Sequence, residues 1–129
     1  MASIEEAIRA MLTANFDANI VPDSRITHGY RLQASALPAI TFEVENTQRV
    51  SVDDVMQSDV AITGIDERTE DAAALEAEIS DALVRGTYAG INIDSAFTTS
   101  SRIDRPIVGM SDEQEPATIT VQCTVHWRM

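Results

Sequence analysis

From Ala117 to Met129 apolar and polar side chains alternate without a break. Ile119, Val121, Cys123, Val125, Trp127 and Met129 share one side; Thr118, Thr120, Gln122, Thr124, His126 and Arg128 share the other. A period of two over this length, rich in β-branched residues, predicts a long strand with one buried face. The same period recurs earlier. After Pro38, whose missing N–H suits the entry to a strand, Ile40, Phe42 and Val44 alternate with Thr41, Glu43 and Glu45. This predicts a half-buried strand with an acidic outer face. The chain then turns around Asp53 and Asp54 and is extended from about Met56 to Ile65, with Val60 and Ile62 pointing inward. Arg25 to Leu32 reads as a short edge strand interrupted by Gly29.

Two stretches carry a helical period instead. Ser3-Ile4-Glu5-Glu6 has the form of a capping box, and Ile4, Ile8, Met11 and Leu12, with Ala7 beside them, make an apolar stripe. The helix is expected to end near Asn15 or Phe16, and Asp17 to Asp23, containing Pro22, to form a turn. In the second, Thr69 is the expected N-cap, with Glu70 and Asp71 complementing the helix dipole. Ala72, Leu75, Ile79, Ala82 and Leu83 form its apolar face, and Arg85-Gly86 supplies the stop.

Between Gly86 and Pro116 the pattern weakens. Tyr88, Ile91, Ile93 and Phe97 suggest a short strand and a turn, and TTSSRIDR a polar loop. Pro106 to Met110 reads as another short strand, and Ser111 to Pro116 as an acidic turn. The order is helix, three extended segments, helix, one or two short strands and a long one. It predicts a single α+β domain over residues 1–129, with an antiparallel or mixed β-sheet packed against two amphipathic helices. A chain of 129 residues suits one core, and 44% hydrophobic residues suit a folded globule.

Charge changes the picture more. Nine arginines and no lysine face 21 carboxylates, for a net charge of −12 spread over both halves of the chain. Such a surface repels phosphate backbones and argues against ordinary nucleic-acid binding. It remains compatible with a passage through which a duplex must slide without sticking. Cys123 is the only cysteine, so neither an intrachain disulfide nor a thiolate metal cluster is available. MASIEEAIRAML carries carboxylates where an export signal carries bases, and no run reaches the roughly 20 apolar residues of a membrane helix.

Candidate chemistry is sparse. There is no Gly-rich phosphate loop, no HExxH and no cysteine pair. Cys123 and His126 lie three apart, which on a strand places them on opposite faces. His28 and His126 invite a cross-strand metal site but lack a third ligand. Asp53-Asp54 and Asp112, Glu113 and Glu115 offer oxygen ligands without the spacing of a calcium loop. Asp94 and Asp104 are a formal acid/base pair of unfixed separation. Arg102 and Arg105, in the polar loop, suit either bidentate contacts with the acidic face of a neighbouring copy or a mobile, solvated loop. No catalytic, cofactor or metal residue is assigned.

Taken in order, the opening helix with IRAML, RITHGYRLQASALPAITFEV, the strand DVAITGI, the helix EDAAALEAEISDAL and the closing ATITVQCTVHWRM resemble the tail terminator, or tail-completion, proteins of long-tailed bacteriophages and prophages. Leu37-Pro38 before the first main strand, the strand leading into an Ala-rich helix and the aromatic Trp127 near the end are part of that likeness, which spans nearly the whole chain. The resemblance implies a non-enzymatic role in virion assembly: a homo-oligomeric ring, usually of six subunits, at the head-proximal end of the tail, assembled in the host cytoplasm. It would cap the tube of major tail protein, stop its polymerisation and meet the head-tail connector or head-completion protein. DNA would pass through the lumen without sequence-specific binding, and no membrane or cofactor is involved. A neck adaptor or head-completion protein is the nearer alternative, and a small ligand-binding domain or enzyme the more distant one.

Overall fold

The structure is a computed structural model that describes residues 3–17, 19–29, 37–50, 54–104 and 117–129. In chain order its elements are α1 (Ile4–Asn15), a 3₁₀ turn (Asp23–Arg25), β1 (Ile26–His28), β2 (Ala39–Arg49), β3 (Met56–Asp66), α2 (Thr69–Ala82), β4 (Gly86–Tyr88), β5 (Ile91–Asp104) and β6 (Ala117–Arg128). The strands form one mixed sheet in the order β1-β2-β3-β6-β5-β4. Every neighbouring pair is antiparallel except β1 and β2, which run parallel. Both helices lie on one face. The α+β architecture read from the pattern is the one observed, with the sheet in its mixed form.

β6 is an interior strand. It pairs with β3 from Met56↔Trp127 to Asp66↔Ala117 and with β5 from Asn92↔Arg128 to Asp104↔Thr118. Its inward side chains Ile119, Val121, Cys123 and Val125 join Ile40, Phe42, Val60 and Ile62 from the neighbouring strands. Against them pack Ile8, Met11 and Leu12 of α1 and Leu75 and Ile79 of α2. Each such side chain contributes about 1.5–3 kcal/mol of burial. The regular alternation of β6 therefore fixes its register, because a slip of one residue would send the whole apolar set to the other face.

The two helices start differently. The Ser3 hydroxyl accepts the Glu6 N–H at 3.2 Å, as the capping box predicts. In α2 the expected cap, Thr69, is instead the first helical residue; Arg68 occupies the N-cap and makes no side-chain capping bond. That helix also stops earlier than its Arg85-Gly86 signal, with Leu83 as C-cap, because β4 begins at Gly86.

Two further expectations change. TTSSRIDR is not a loop: as far as Asp104 it belongs to β5, which runs fourteen residues and bulges twice, between Ile93 and Ser95 and between Thr98 and Ser100. Of the edge strand expected from Arg25 to Leu32, Ile26–His28 is strand and Gly29 follows it with φ +83°, while 30–32 lie outside the described residues. The strand expected at 106–110, the acidic turn at 111–116, Asp53 and Arg105 lie outside the described residues.

Candidate functional site

With the helices on one face, the other face of the sheet is open. Its rows are built by the polar half of each alternation: Thr41 and Glu43 on β2, Gln57, Asp59 and Thr63 on β3, Thr118 to Arg128 on β6, and Ser95, Ser100 and Arg102 on β5. Short hydroxyl and amide side chains predominate, and Thr63 and Thr120 bring their hydroxyls within 3.4 Å across β3 and β6. Phe97, 47% exposed, is the one aromatic ring among them, its centroid 6.0 Å from that of His126.

His126 ties three strands together. Its Nδ1 lies 3.0 Å from Ser95 Oγ on β5, and its Nε2 lies 3.1 Å from Gln57 Oε1 on β3. Since Gln57 Oε1 only accepts, Nε2–H donates to it, which leaves Nδ1 to accept the Ser95 hydroxyl. The order hydroxyl, imidazole, amide resembles an activated nucleophile, but the amide cannot stabilise an imidazolium as a carboxylate does. A structural clasp across β5, β6 and β3 accounts for both contacts.

Among the described residues the cations on this face are ion-paired. Arg102 Nη2 lies 3.3 Å from Asp104 Oδ2, and Arg128 Nε lies 3.5 Å from Asp94 Oδ2. Glu43 and Asp59 have no ion pair among the described residues. The unpaired charge of the open face is therefore negative.

The structure separates most of the residues that the sequence offered for chemistry. His28 sits on the helix face, its ring centroid 5.2 Å from that of Phe42, whereas His126 faces the open side three strands away, so the two cannot share a metal. Asp94 and Asp104 stand near opposite ends of β5, roughly 30 Å apart at the rise of a strand. Asp54 pairs with Arg49 at 3.1 Å. Among the described residues no three His, Cys, Asp or Glu side chains gather as metal ligands. Cys123 and His126 lie on opposite faces, as their spacing predicts; burial pushes the Cys123 thiol up to about 12, so it is not a nucleophile at neutral pH.

Two shallow depressions flank the sheet. One, of about 330 Å³, is lined by Arg85, Thr87, Asn92, Asp94 and Arg128; the other, of about 360 Å³, by Glu5, Glu6, Arg9, His28 and Phe42. Each mixes both signs of charge. The clasp around His126 was not legible because it needs the pairing of β6 with both β5 and β3, which no local pattern contains; the alternation of β6 alone could place His126 on the open face.

No family model matches the chain, and no curated protein sequence matches it. Among solved structures it is similar over its whole length to a chain of the virion of a native gene transfer agent particle, with a TM-score of 0.72 at 14% identity and 100% of both chains covered. At that identity the two share a fold.

Proposed function

We propose that this chain is a structural, non-enzymatic component of a phage-like virion, acting as a ring at the head-proximal end of the tail. The observation that carries the reading is the end-to-end likeness to a chain of a gene transfer agent virion, in which neither chain has an unmatched domain. The ring, of six subunits by the resemblance in sequence, caps the tube of major tail protein, stops its growth and presents its far side to the head-tail connector. Mechanism here is geometry: one side matches the last ring of tube subunits, and the other cannot nucleate a further one.

The open face suits the lining of such a ring. Among the described residues its arginines are already paired and its unpaired charges are carboxylates, so there a passing duplex meets no free cation to hold its phosphates. The hydroxyl and amide rows keep the surface wetted without giving it a strong field.

The test is electron microscopy of the polymerising tail-tube subunit with and without this chain. Tubes that carry a ring at one end and no longer grow from it support the terminator role. Tubes of unchanged length with bare ends, from a chain that still joins heads to tails, would move the assignment to a neck adaptor.

A further inference from the structure

The sheet has two open edges, diagonally across from one another. On one side β1 pairs only from Ile26↔Ile40 to His28↔Phe42, so from Glu43 to Arg49 the outer edge of β2 has no neighbour among the described residues. On the other side β4 pairs only from Gly86↔Ile93 to Tyr88↔Ile91, so from Asp94 to Asp104 the outer edge of β5 has no neighbour among the described residues. Backbone N–H and C=O groups along such an edge are left to water or to another strand. Neither stretch contains Pro or Lys, the residues that usually block edge pairing.

Three features make the two edges fit one another. The first is direction. β2, β3, β6 and β5 alternate, so β2 and β5 run oppositely, and continuing the sheet from β5 of one copy onto β2 of the next yields an antiparallel pair.

The second is the offset. Ile26, Ile40, Gly64, Ile119 and Ile103 share one row, and Arg49, Met56, Trp127, Ile93 and Gly86 share another. If two copies met level, β1 of the incoming copy would occupy the place of β5 near Ile103, and β4 the place of β2 near Arg49. A slide of about four residues, or ~13 Å, clears both obstructions. It sets Glu43–Arg49 of one copy opposite Thr98–Asp104 of the next. Four strands per copy span ~19 Å at the usual spacing, and with a ~13 Å slide this gives a strand tilt of about 35°, a value at which sheets close into barrels. The bulges between Val44 and Asn46 and between Thr98 and Ser100 supply local bending and twist.

The third is side-chain chemistry. In this register Ile103, a large apolar side chain left 38% exposed, comes opposite the partly buried Val44 of the neighbour on the helix face. On the open face Arg102 comes beside Glu43 and Glu45, which have no ion pair within their own chain among the described residues. Glu43 itself comes opposite Asp104, and Arg102, ion-paired with Asp104 at 3.3 Å, offsets that pair of like charges.

We propose that the edges are a head-to-tail docking site for a second copy of this chain, Glu43–Arg49 of β2 adding antiparallel to Thr98–Asp104 of β5. This deepens the ring reading, but it requires only that the chain self-associate. The contact is heterologous, so an open assembly of copies keeps one free edge of each kind, at its two ends, until it closes.

The test has two parts. Gln48→Cys and Ser100→Cys, in one chain, place thiols opposite each other across the proposed contact. Mild oxidation in the presence of tube subunits is expected to give a ladder of disulfide-linked multimers, and neither single variant should give one. For the second part, proline is placed at Ser100 or Ser101, and separately at Thr47 or Gln48; of each neighbouring pair, the variant whose melting temperature is unchanged is kept as the blocked edge. Sedimentation at high salt, with tube subunits present, should show each blocked variant unable to self-associate. The equimolar mixture should give dimers that go no further. No ladder, blocked variants that assemble like the parent, a mixture that stays monomeric, or a parent chain that never self-associates would each overturn the proposal. Rings that still cap tubes with both edges blocked would discard this contact and leave the tail role standing. Edge-paired rings that ignore tube ends would do the reverse.

Discussion

The indole Nε1 of Trp127 donates to Ser58 Oγ at 2.9 Å, and the same hydroxyl lies 2.8 Å from Thr47 Oγ1. Ser58 is the only fully buried polar side chain among the described residues. It joins β6 to β3 and β3 to β2. Ser58→Ala leaves the indole N–H unsatisfied, at a cost of about 1–3 kcal/mol. The expected fall in melting temperature is roughly 3–5 °C per kcal/mol for a domain of this size. Urea unfolding followed by the fluorescence of Trp127, the sole tryptophan, reports it directly. Unchanged stability would mean that the indole finds another acceptor.

Gly64 sets how closely α2 approaches the sheet. A Cβ built there would lie 3.0 Å from Leu75 Cδ1 and 3.1 Å from Ile119 Cγ2. Those neighbours belong to the packed interior, where an added methyl forces a shift rather than filling space. Gly64→Ala is expected to destabilise by about 1–3 kcal/mol. Pairing it with Leu75→Ala, which removes the nearest contact, should cost less than the sum of the two single changes. A double-mutant cycle by chemical denaturation measures that coupling, and additive losses would show that the Leu75 Cδ1 contact is not what costs the added methyl, leaving Leu75 Cβ and Ile119 Cγ2, both at 3.1 Å.

Cys123 gives a pH signature. Burial raises its thiol from an ordinary 9.0 to about 12, since the thiolate would lose its hydration between the sheet and the helices. The unfolded chain ionises first, so the folded state holds more protons between about 9 and about 12. Stability from this group is intact below pH 9 and falls as pH rises through that window. Native protein at pH 8 should therefore resist alkylation and label only as fast as it unfolds. Rapid labelling without urea would place the thiol nearer to water than the core permits.

What the sequence disclosed, and what it hid, follow from how each element is stabilised. β6 and α1 were legible because the alternation ending at Trp127, and the spacing Ile4, Ile8, Met11 and Leu12, record a one-sided burial that the structure realises. The second half of β5 was not. Thr98, Ser100, Ser101 and Arg102 are exposed, so no burial imprints a period on them, and they are strand because β6 supplies their hydrogen bonds. Their tolerance of β structure was present as Thr content and the absence of Gly and Pro. The candidate site was hidden for another reason: Ser95, His126 and Gln57 meet only through pairings between strands distant in sequence. The edges and their offset are likewise properties of registry, which no local pattern contains.

The contrasting helix starts yield opposite predictions. Ser3→Ala removes the acceptor for the Glu6 N–H and should cost ~1 kcal/mol. Arg68 at the start of α2 satisfies no N–H, and a cation there opposes the helix dipole. Arg68→Ser should therefore stabilise by about 0.5–1 kcal/mol, since its ion pair with Glu70, at 3.8 Å between highly exposed groups, contributes little. Thermal melts of the two variants should move in opposite directions. A loss on Arg68→Ser would show that Arg68 contributes through a contact other than capping.

If the open face lines a passage for DNA, its lack of free cations is a functional property and can be reversed. Asp59, on β3 among the hydroxyl rows, carries one of its unpaired carboxylates. Asp59→Arg with Thr63→Arg places two guanidinium groups on one strand, both on that face and away from the core. The parent protein is expected to show no binding of a duplex by fluorescence anisotropy at low salt. The double variant should bind, and its affinity should fall steeply with salt, by a logarithmic slope of roughly 0.9 per phosphate engaged. In assembled particles the same variant should cap tubes normally yet slow DNA ejection, because chemistry is altered only where the duplex slides. Normal ejection from particles that contain a DNA-binding variant would put the open face on the outside of the ring, with the helices turned toward the lumen.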